Sequence, residues 1–123
     1  MGGLPIVHRG GQSQQQTNAV LRSLGAQYGY YDTKDWKNAG TIDMIVDTQA
    51  ELYNACAKLA LFTPEDDQPQ GIEDIRDGIL TKFMNIVEKR LAGNGNAKFI
   101  VGDKLTIADF AMCQTIFNIL RNT

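Results

Sequence analysis

The sequence has few of the residues that build metal sites and disulfide frameworks. Its 123 residues include one histidine and two cysteines, Cys56 and Cys113, which lie far apart in the sequence. Neither a CxxC pair nor a histidine cluster accompanies the cysteines, so we expect no metal site and no disulfide framework. The two cysteines are instead expected to be reduced, buried thiols of an intracellular protein.

The sequence also lacks an excess of positive charge and any long apolar run. Lysine and arginine number 12 against 14 acidic residues, which gives a net charge of -2, so nucleic-acid binding is not expected. The apolar run at residues 60–62 is far too short to cross a bilayer, and residues 1–5 lack the charged and apolar regions of a signal peptide. We therefore expect a cytoplasmic protein without membrane insertion.

The chain does contain the material of a globular core, with 43% hydrophobic and 21% charged residues. Its first structured segment begins with Leu4-Pro5-Ile6-Val7, a short apolar run that carries proline near its start, where a strand tolerates it. Gly10-Gly11 indicates a turn, and the polar residues 12–16 indicate a weak edge strand or a loop.

A short helix is predicted next, over residues 17–28. Thr17 is a suitable N-cap residue, and Val20, Leu21 and Leu24 lie at helical spacing on one face. Gly29 is a typical stop signal for a helix. Residues 30–33 are interpreted as a linker between two structural units.

Two long helices follow as a hairpin. Apolar residues recur every three to four positions from residue 33 to residue 62, which predicts an amphipathic helix of about seven turns. Residues 63–71 hold two prolines and three acidic residues, so a break is expected there. A second apolar stripe predicts the other arm over residues 72–91.

The last segment begins with a capping signal. Thr106-Ile107-Ala108-Asp109 has the spacing of a capping box, in which Thr106 and Asp109 each bond the other's backbone N–H. The following residues, 107–120, are apolar nearly all round, as in a helix at the centre of a bundle. Such a helix needs neighbours on several sides, so we expect either a fragment or partner chains that complete the core.

This order of elements resembles that of the cytosolic glutathione transferases, closest to their tyrosine-type (pi- and sigma-like) classes. The Gly102-Asp103 and Thr106-x-x-Asp109 stretch is similar to the folding motif of the family's helical domain. Gln16-Thr17 before the helix is similar to the family's Gln-Ser pair, and Leu4-Pro5 to its strand opening with a cis proline.

The resemblance implies a mainly α fold and a division into two units. Residues 1–30 would be a partial thioredoxin-like, glutathione-binding domain. Residues 31–123 would be a helical domain of the transferase C-terminal type, incomplete at its C-terminus. The chain is accordingly expected to be truncated at both ends relative to the family.

The resemblance also implies a set of ligand residues for glutathione, which would be a substrate or ligand rather than a cofactor. The set comprises Leu4, Pro5, Gln16 and Thr17, with Asp47 similar to an acid that reaches the γ-glutamyl amine across a dimer interface. A helix N-terminus suits a carboxylate. The residues alone also allow ordinary structural roles: Thr17 as a simple helix cap, Pro5 after a trans peptide bond, and Asp47 as a solvated charge on its helix.

Departures from the family pattern limit the catalytic assignment. The Tyr, Ser or Cys that activates the thiol lies near the family's N-terminus, in a part that has no counterpart here, so no residue is assigned as catalytic. The tyrosines of this chain lie in the wrong region of the sequence for this role: Tyr28, Tyr30, Tyr31 and Tyr53. Gln14 and Ser23 also differ from the usual apolar strand residue and ring-bearing helix residue.

Two functions are therefore compared. The first is conjugation of glutathione to electrophiles by the complete protein, with a partial glutathione site in this chain. The alternative is a catalytically inactive, transferase-like structural or adaptor subunit of a larger assembly. In either function we expect a homodimer or incorporation into a larger complex, because the apolar helix faces exceed what this chain can bury.

Overall fold

Helices make up most of the computed structural model, which describes residues 4–95 and 98–120, without the side chains of residues 119 and 120. A small antiparallel hairpin comes first, with strands β1 (Ile6–Arg9) and β2 (Gln12–Gln15) paired from Ile6 opposite Gln15 to Arg9 opposite Gln12. Both residues of the turn, Gly10 and Gly11, have positive φ, which glycine adopts without steric cost.

The hairpin leads into helix α1 (Thr17–Tyr28), which ends at Gly29 in the left-handed conformation, as the sequence predicted. An isolated two-stranded hairpin is only marginally stable. Here Arg9 anchors it: its guanidinium donates a hydrogen bond to Gln27 and lies 5.6 Å from the centroid of the Tyr28 ring. The hairpin is thereby fixed against the end of α1.

Helix α2 (Trp36–Phe62) is the long helix that the apolar spacing predicted, and it has 27 residues. The Asp35 carboxylate accepts a hydrogen bond from the Asn38 N–H at 3.3 Å and starts the helix. Ile45 and Leu52 are fully buried on its inner face. No helix in the described residues, α2 included, is long and apolar enough to cross a membrane.

The second arm of the helical hairpin begins earlier than predicted. Helix α3 (Gln68–Ile75) continues through a π-helical turn, Arg76–Leu80, into helix α4 (Thr81–Gly93). The predicted break over residues 63–71 was therefore too long, and only the 3-10 turn Glu65–Asp67 separates this arm from α2. Pro69 is compatible with the helix because the first turn needs no hydrogen bond from its nitrogen.

Helix α5 (Ile107–Thr115), followed by the π-helical turn Ile116–Leu120, packs mainly on α2. It is buried on one face only, because Phe110 and Phe117 are 41% and 55% exposed. The described chain therefore covers one side of this apolar helix, and a partner that covers the other side stays a prediction. The shared core comprises the following buried residues: Ile42, Ile45, Val46, Leu52, Phe83, Val87, Ile100, Val101, Ile107, Ala108 and Ala111.

A capping box starts α5. The Thr106 hydroxyl accepts from the Ala108 N–H at 3.3 Å, and the Asp109 carboxylate accepts from the Thr106 N–H at 2.8 Å. The other oxygen of Asp109 accepts from the Ile100 N–H at 3.0 Å. Asp109 therefore ties the loop before α5 to the first turn of the helix.

The two cysteines differ from the prediction of buried thiols. Both are free, but Cys56 on α2 is half-buried and Cys113 on α5 is exposed. Cys113 lies on the face of α5 that the described chain leaves exposed, which is why its thiol is not buried.

Thiol labelling is expected to separate the two cysteines. Burial raises the pKa of the Cys56 thiol, which lowers its thiolate fraction at neutral pH. We expect iodoacetamide to alkylate Cys113 before Cys56. Mass spectrometry of the intact chain and of its peptides measures the rate of alkylation at each cysteine. The variant Cys113→Ser should leave a slow reaction at Cys56, and equal rates at both cysteines would contradict the placement of α5.

Candidate functional site

A cavity of about 540 Å³ opens where the start of the hairpin meets α1, α2 and α5. Its lining residues come from all four segments and include no charged side chain among those described. They are Leu4, Pro5, Gln16, Thr17, Asn18, Gln49, Ala50, Tyr53, Asn54 and Gln114. We call this the polar cavity, and it is of the size that small-molecule sites usually have.

Four of the five predicted glutathione residues lie together in the polar cavity: Leu4, Pro5, Gln16 and Thr17. The peptide bond between Leu4 and Pro5 is cis. Leu4 is 92% exposed, so its backbone is accessible at the cavity mouth. The structure does not place the fifth residue, Asp47, in the lining of this cavity.

The start of α1 presents a strained residue to the cavity. Gln16 has φ of 75°, in the left-handed region that favours glycine, and its carbonyl accepts from the Val20 N–H at 3.0 Å. Gln16 is therefore the N-cap residue, and the prediction that Thr17 is the N-cap was wrong, since Thr17 is the first residue inside the helix. Strained residues of this kind are often found at functional sites.

The first turn of α1 offers free donors, because no side chain caps it. The backbone N–H groups at a helix start have no partner within the helix, and they carry the positive end of the helix dipole. Thr17 and Asn18 belong to this turn and line the polar cavity. The arrangement can therefore hold an anionic group, such as a carboxylate, without a charged side chain.

Asp47 belongs to an ion-pair network that joins α1 to α2. Arg22 donates to Asp43 at 2.6 Å and to Asp47 at 2.7 Å, and Asn18 donates to Asp47 at 3.1 Å. The Tyr31 hydroxyl donates to the other oxygen of Asp43 at 2.8 Å. Asp47 is thus hydrogen-bonded to α1. One of its partners, Asn18, lines the polar cavity, although Asp47 itself does not.

The network shifts the pKa values of its members. Burial disfavours the charge of Arg22, but the hydrogen bonds that its guanidinium donates to Asp43 and Asp47, together with their negative charges, outweigh this effect and raise the pKa of Arg22. Burial and the bond to Asp43 raise the pKa of Tyr31 above its ordinary value. Both shifts favour the protonated donors, of which Arg22 joins α1 to α2 and Tyr31 joins the segment after α1 to α2.

Stability is expected to fall at alkaline pH because of Tyr31. A folded-state pKa above the unfolded value of about 10 means that its contribution is complete below that pH and is lost as the pH rises through the folded pKa. Tyr31→Phe should lower the free energy of unfolding by about 1 kcal/mol at neutral pH and reduce the alkaline loss. Urea unfolding from neutral to alkaline pH measures both effects.

Tyr28→Phe is the matched control, because Tyr28 is 60% exposed and its hydroxyl takes no part in the hydrogen bonds to Asp43. An alkaline loss of stability that is the same in both variants and the parent would contradict this role of Tyr31.

The sequence reasoning missed the far wall of the cavity. Gln49 on α2 is only 4% exposed, and its Nε2 is the one buried side-chain nitrogen or oxygen without a hydrogen-bond partner in the described part of the chain. The sequence feature that could have indicated Gln49 is its place as a polar residue within the apolar stripe of α2. Tyr53, assigned to the wrong region for catalysis, also lines the cavity.

Side chains that could bind a metal do not cluster in the described part of the chain. Among residues 4–95 and 98–120, no group of three or more His, Cys, Asp or Glu residues could hold a metal ion. The polar cavity is therefore the candidate site that the predicted ligand residues and the unpaired donors share.

Comparison with known proteins gives one family. The sequence model of "Glutathione S-transferase, C-terminal domain" matches residues 50–123. A glutathione S-transferase of Gallus gallus is 31% identical over 113 residues, which are 92% of this chain and 50% of that protein. Glutathione S-transferase P 1 of Xenopus laevis is 30% identical over 116 residues, which are 94% of this chain and 52% of that protein.

The relatives carry names of more than one class. Glutathione S-transferase alpha I of Oryctolagus cuniculus is 29% identical over 116 residues, which are 94% of this chain and 51% of that protein, so the pi- and sigma-like class stays a prediction. The chain spans about half the length of the curated relatives it matches. From the family match and the helical fold together, we conclude that this chain belongs to the glutathione S-transferase family, with a C-terminal helical domain of that family.

Proposed function

We propose that the chain is part of an enzyme that conjugates glutathione to electrophiles, and that the polar cavity is this chain's share of the glutathione site. The observation that carries the proposal is the convergence of Leu4, Pro5, Gln16 and Thr17 on one cavity. The relatives are named as transferases of glutathione, which supports the same substrate.

The proposed binding mode follows from the donors in the cavity. The γ-glutamyl carboxylate lies at the start of α1, where Thr17 lines the cavity and no side chain caps the backbone N–H groups. The exposed backbone of Leu4 pairs with the cysteinyl backbone of glutathione. Asp47, with a side chain 58% exposed, reaches the γ-glutamyl amine of a ligand bound to a second subunit.

This binding mode assigns the segments of the chain to two units. Residues 1–30 belong to the thioredoxin-like unit that holds glutathione, and residues 31–123 belong to the helical domain. Described contacts between the units include the Arg22 network and the packing of Gly25 on Ile107, where a Cβ at Gly25 would lie 2.5 Å from the Ile107 Cγ2 atom. These contacts hold α1 against α2 through Arg22 and against α5 through Gly25.

Glutathione binding tests the proposal directly. The 123-residue chain should bind glutathione weakly in calorimetric titrations, and the double variant Gln16→Ala, Thr17→Ala should bind at least tenfold more weakly, about 1.4 kcal/mol, because carboxylate donors are lost. Gln12→Ala, on the exposed part of the hairpin, is the matched control and should not change the affinity. Absence of binding at millimolar glutathione would contradict the proposal.

Turnover is expected to be low even where binding occurs. Conjugation needs a donor that stabilises the glutathione thiolate, and no residue of this chain is assigned to that role. We expect little or no conjugation of glutathione to an aromatic electrophile by the isolated chain. Robust turnover that Tyr53→Phe abolishes would instead assign the donor to Tyr53.

An adaptor subunit is the second candidate function, and a specific surface favours it. Leu61 and Phe62 at the end of α2 are 74% and 79% exposed, and Ile72 on α3 is 48% exposed. Exposed apolar side chains in this number are typical of interfaces. Light scattering should then give a mass above that of one chain, whereas a soluble monomer without glutathione affinity would contradict both functions.

A further inference from the structure

We propose that a second cavity, beside the end of α4, is a binding site for a small phosphorylated polyol, such as a sugar phosphate. This cavity has a volume of about 340 Å³ and lies between the start of α2, the end of α4 and the loop at residues 100–102. It shares no described lining residue with the polar cavity, so it is separate from the proposed glutathione site. The inference therefore does not depend on the proposed function.

The second cavity is positively charged. Lys89 and Arg90 of α4 line it, and its described lining includes no acidic side chain. Within residues 4–95 and 98–120, neither cation has a salt-bridge partner. An arginine can hold a phosphate by two parallel hydrogen bonds, and a lysine adds a point charge. The pair therefore matches a dianionic phosphate group, although the chain as a whole has a net charge of -2.

Compensation of the helix dipole does not account for both cations. Arg90 lies in the last turn of α4, where a positive charge is favourable. Lys89 precedes that turn, and the effect of the dipole falls off within it. The dipole therefore explains Arg90 but not a second cation at the same cavity.

The neutral part of the lining offers acceptor oxygens. The Thr41 hydroxyl donates to the Lys37 carbonyl at 3.2 Å. The amide nitrogen of Asn94 donates to two carbonyls, those of Phe99 at 2.8 Å and Gly102 at 2.6 Å. With their hydrogens used in this way, Thr41 and Asn94 can offer a ligand only oxygen atoms that accept. The lining therefore suits an anion that also carries hydroxyl groups, which donate to such oxygens.

Hydrogen bonds within the chain fix the wall of the second cavity before any ligand binds. Asn94, at the end of α4, ties down the loop through the two carbonyls. The Ile100 N–H donates to the Asp109 carboxylate at 3.0 Å, and the side chains of Ile100 and Val101 are buried in the core. A preformed wall lowers the cost of ordering that binding would otherwise require.

Titration calorimetry with glucose 6-phosphate tests the inference. The 123-residue chain should bind this probe, and the double variant Lys89→Gln, Arg90→Gln should bind it roughly tenfold more weakly or worse, because charged hydrogen bonds are lost. Inorganic phosphate and glucose should also bind roughly tenfold more weakly than the probe, since each lacks one of its two recognised groups. Circular dichroism of the double variant checks that it keeps the helical fold.

Two control variants complete the test. Lys82→Gln removes an exposed lysine of α4 outside the second cavity and should leave the affinity unchanged, and Lys89→Arg keeps the charge and should keep the binding. Excess glutathione should not displace glucose 6-phosphate, because the two cavities are separate.

Three results would overturn the inference while the proposed function stands. The first is no binding at millimolar glucose 6-phosphate, and the second is equal affinity of the parent and the double variant. The third is equal affinity for inorganic phosphate and glucose 6-phosphate, which would contradict recognition of the hydroxyl groups. Displacement of the probe by glutathione would contradict the separation of the two sites.

Discussion

Asp109→Ala is expected to lower the free energy of unfolding by about 3 kcal/mol, more than loss of a helix cap alone. One oxygen of Asp109 accepts from the Thr106 N–H and hydroxyl, and the other accepts from the Ile100 N–H. Alanine leaves these donors without partners in a part-buried loop. Because Ile100 and Val101 enter the core directly from this loop, the damage reaches α2 and α4.

Urea denaturation followed by circular dichroism measures this loss. Thr106→Ala should cost less, about 1 kcal/mol, because it removes one capping hydroxyl. Asp103→Ala is the matched control, since Asp103 is an exposed carboxylate of the same loop, and its unfolding midpoint should not move. A midpoint for Asp109→Ala equal to that of Asp103→Ala would contradict the role of the capping box.

Phe83→Ala is expected to have the largest effect on stability, about 4 kcal/mol. Phe83 on α4 is fully buried and belongs to the core that α2, α4 and α5 share. Removal of the ring loses its transfer free energy and leaves a cavity that rigid neighbouring helices do not fill. Domains have only about 5–15 kcal/mol of stability, so a loss of this size is a large part of the total. We therefore expect the variant to be partly unfolded at 37 °C.

Phe62→Ala provides the control for Phe83→Ala, because the same side chain is removed from a position that is 79% exposed. Its midpoint should stay within about 0.5 kcal/mol of the parent. Equal losses in the two variants, measured by urea unfolding, would contradict the packing of α4 against α2.

The helices were predictable from the sequence because apolar residues every three to four positions lie on one face of a helix. This spacing is local and does not depend on distant parts of the chain. The stripe on α2 follows from helical spacing, the box from the i to i+3 spacing of Thr106 and Asp109, and the stop at Gly29 from the ease with which glycine adopts positive φ. Boundaries were less predictable. Pro69 looked like part of a break, although proline is compatible with the first turn of a helix.

Burial was less predictable than helix formation, because it depends on neighbours that are distant in sequence. Cys113 and Phe110 lie in an apolar segment, yet both stay exposed, although the Tyr30 ring contacts Phe110 edge to face. The cap of α1 was misplaced because Gln16 has a positive φ, which residues other than glycine rarely adopt, so residue preference pointed to Thr17 instead.

The resemblance to a family located one side of the cavity, and only the structure located the other. Leu4, Pro5, Gln16 and Thr17 belong to recognisable motifs, so they were named from the sequence. Gln49 belongs to no motif, and its unpaired amide is visible only once α2 is packed. Asp47 was named as a ligand, and the structure adds its bonds to Arg22 and Asn18.

Nuclear magnetic resonance of the ¹⁵N-labelled chain, titrated with glutathione, tests most directly the claim that the polar cavity is a glutathione site. The account predicts that the largest amide shift changes occur at Gln16, Thr17 and Asn18. A second cavity beside Lys89 and Arg90 provides the natural competitor for an anionic tripeptide. Shift changes centred on Lys89 and Arg90, or none at saturating glutathione, would contradict the account.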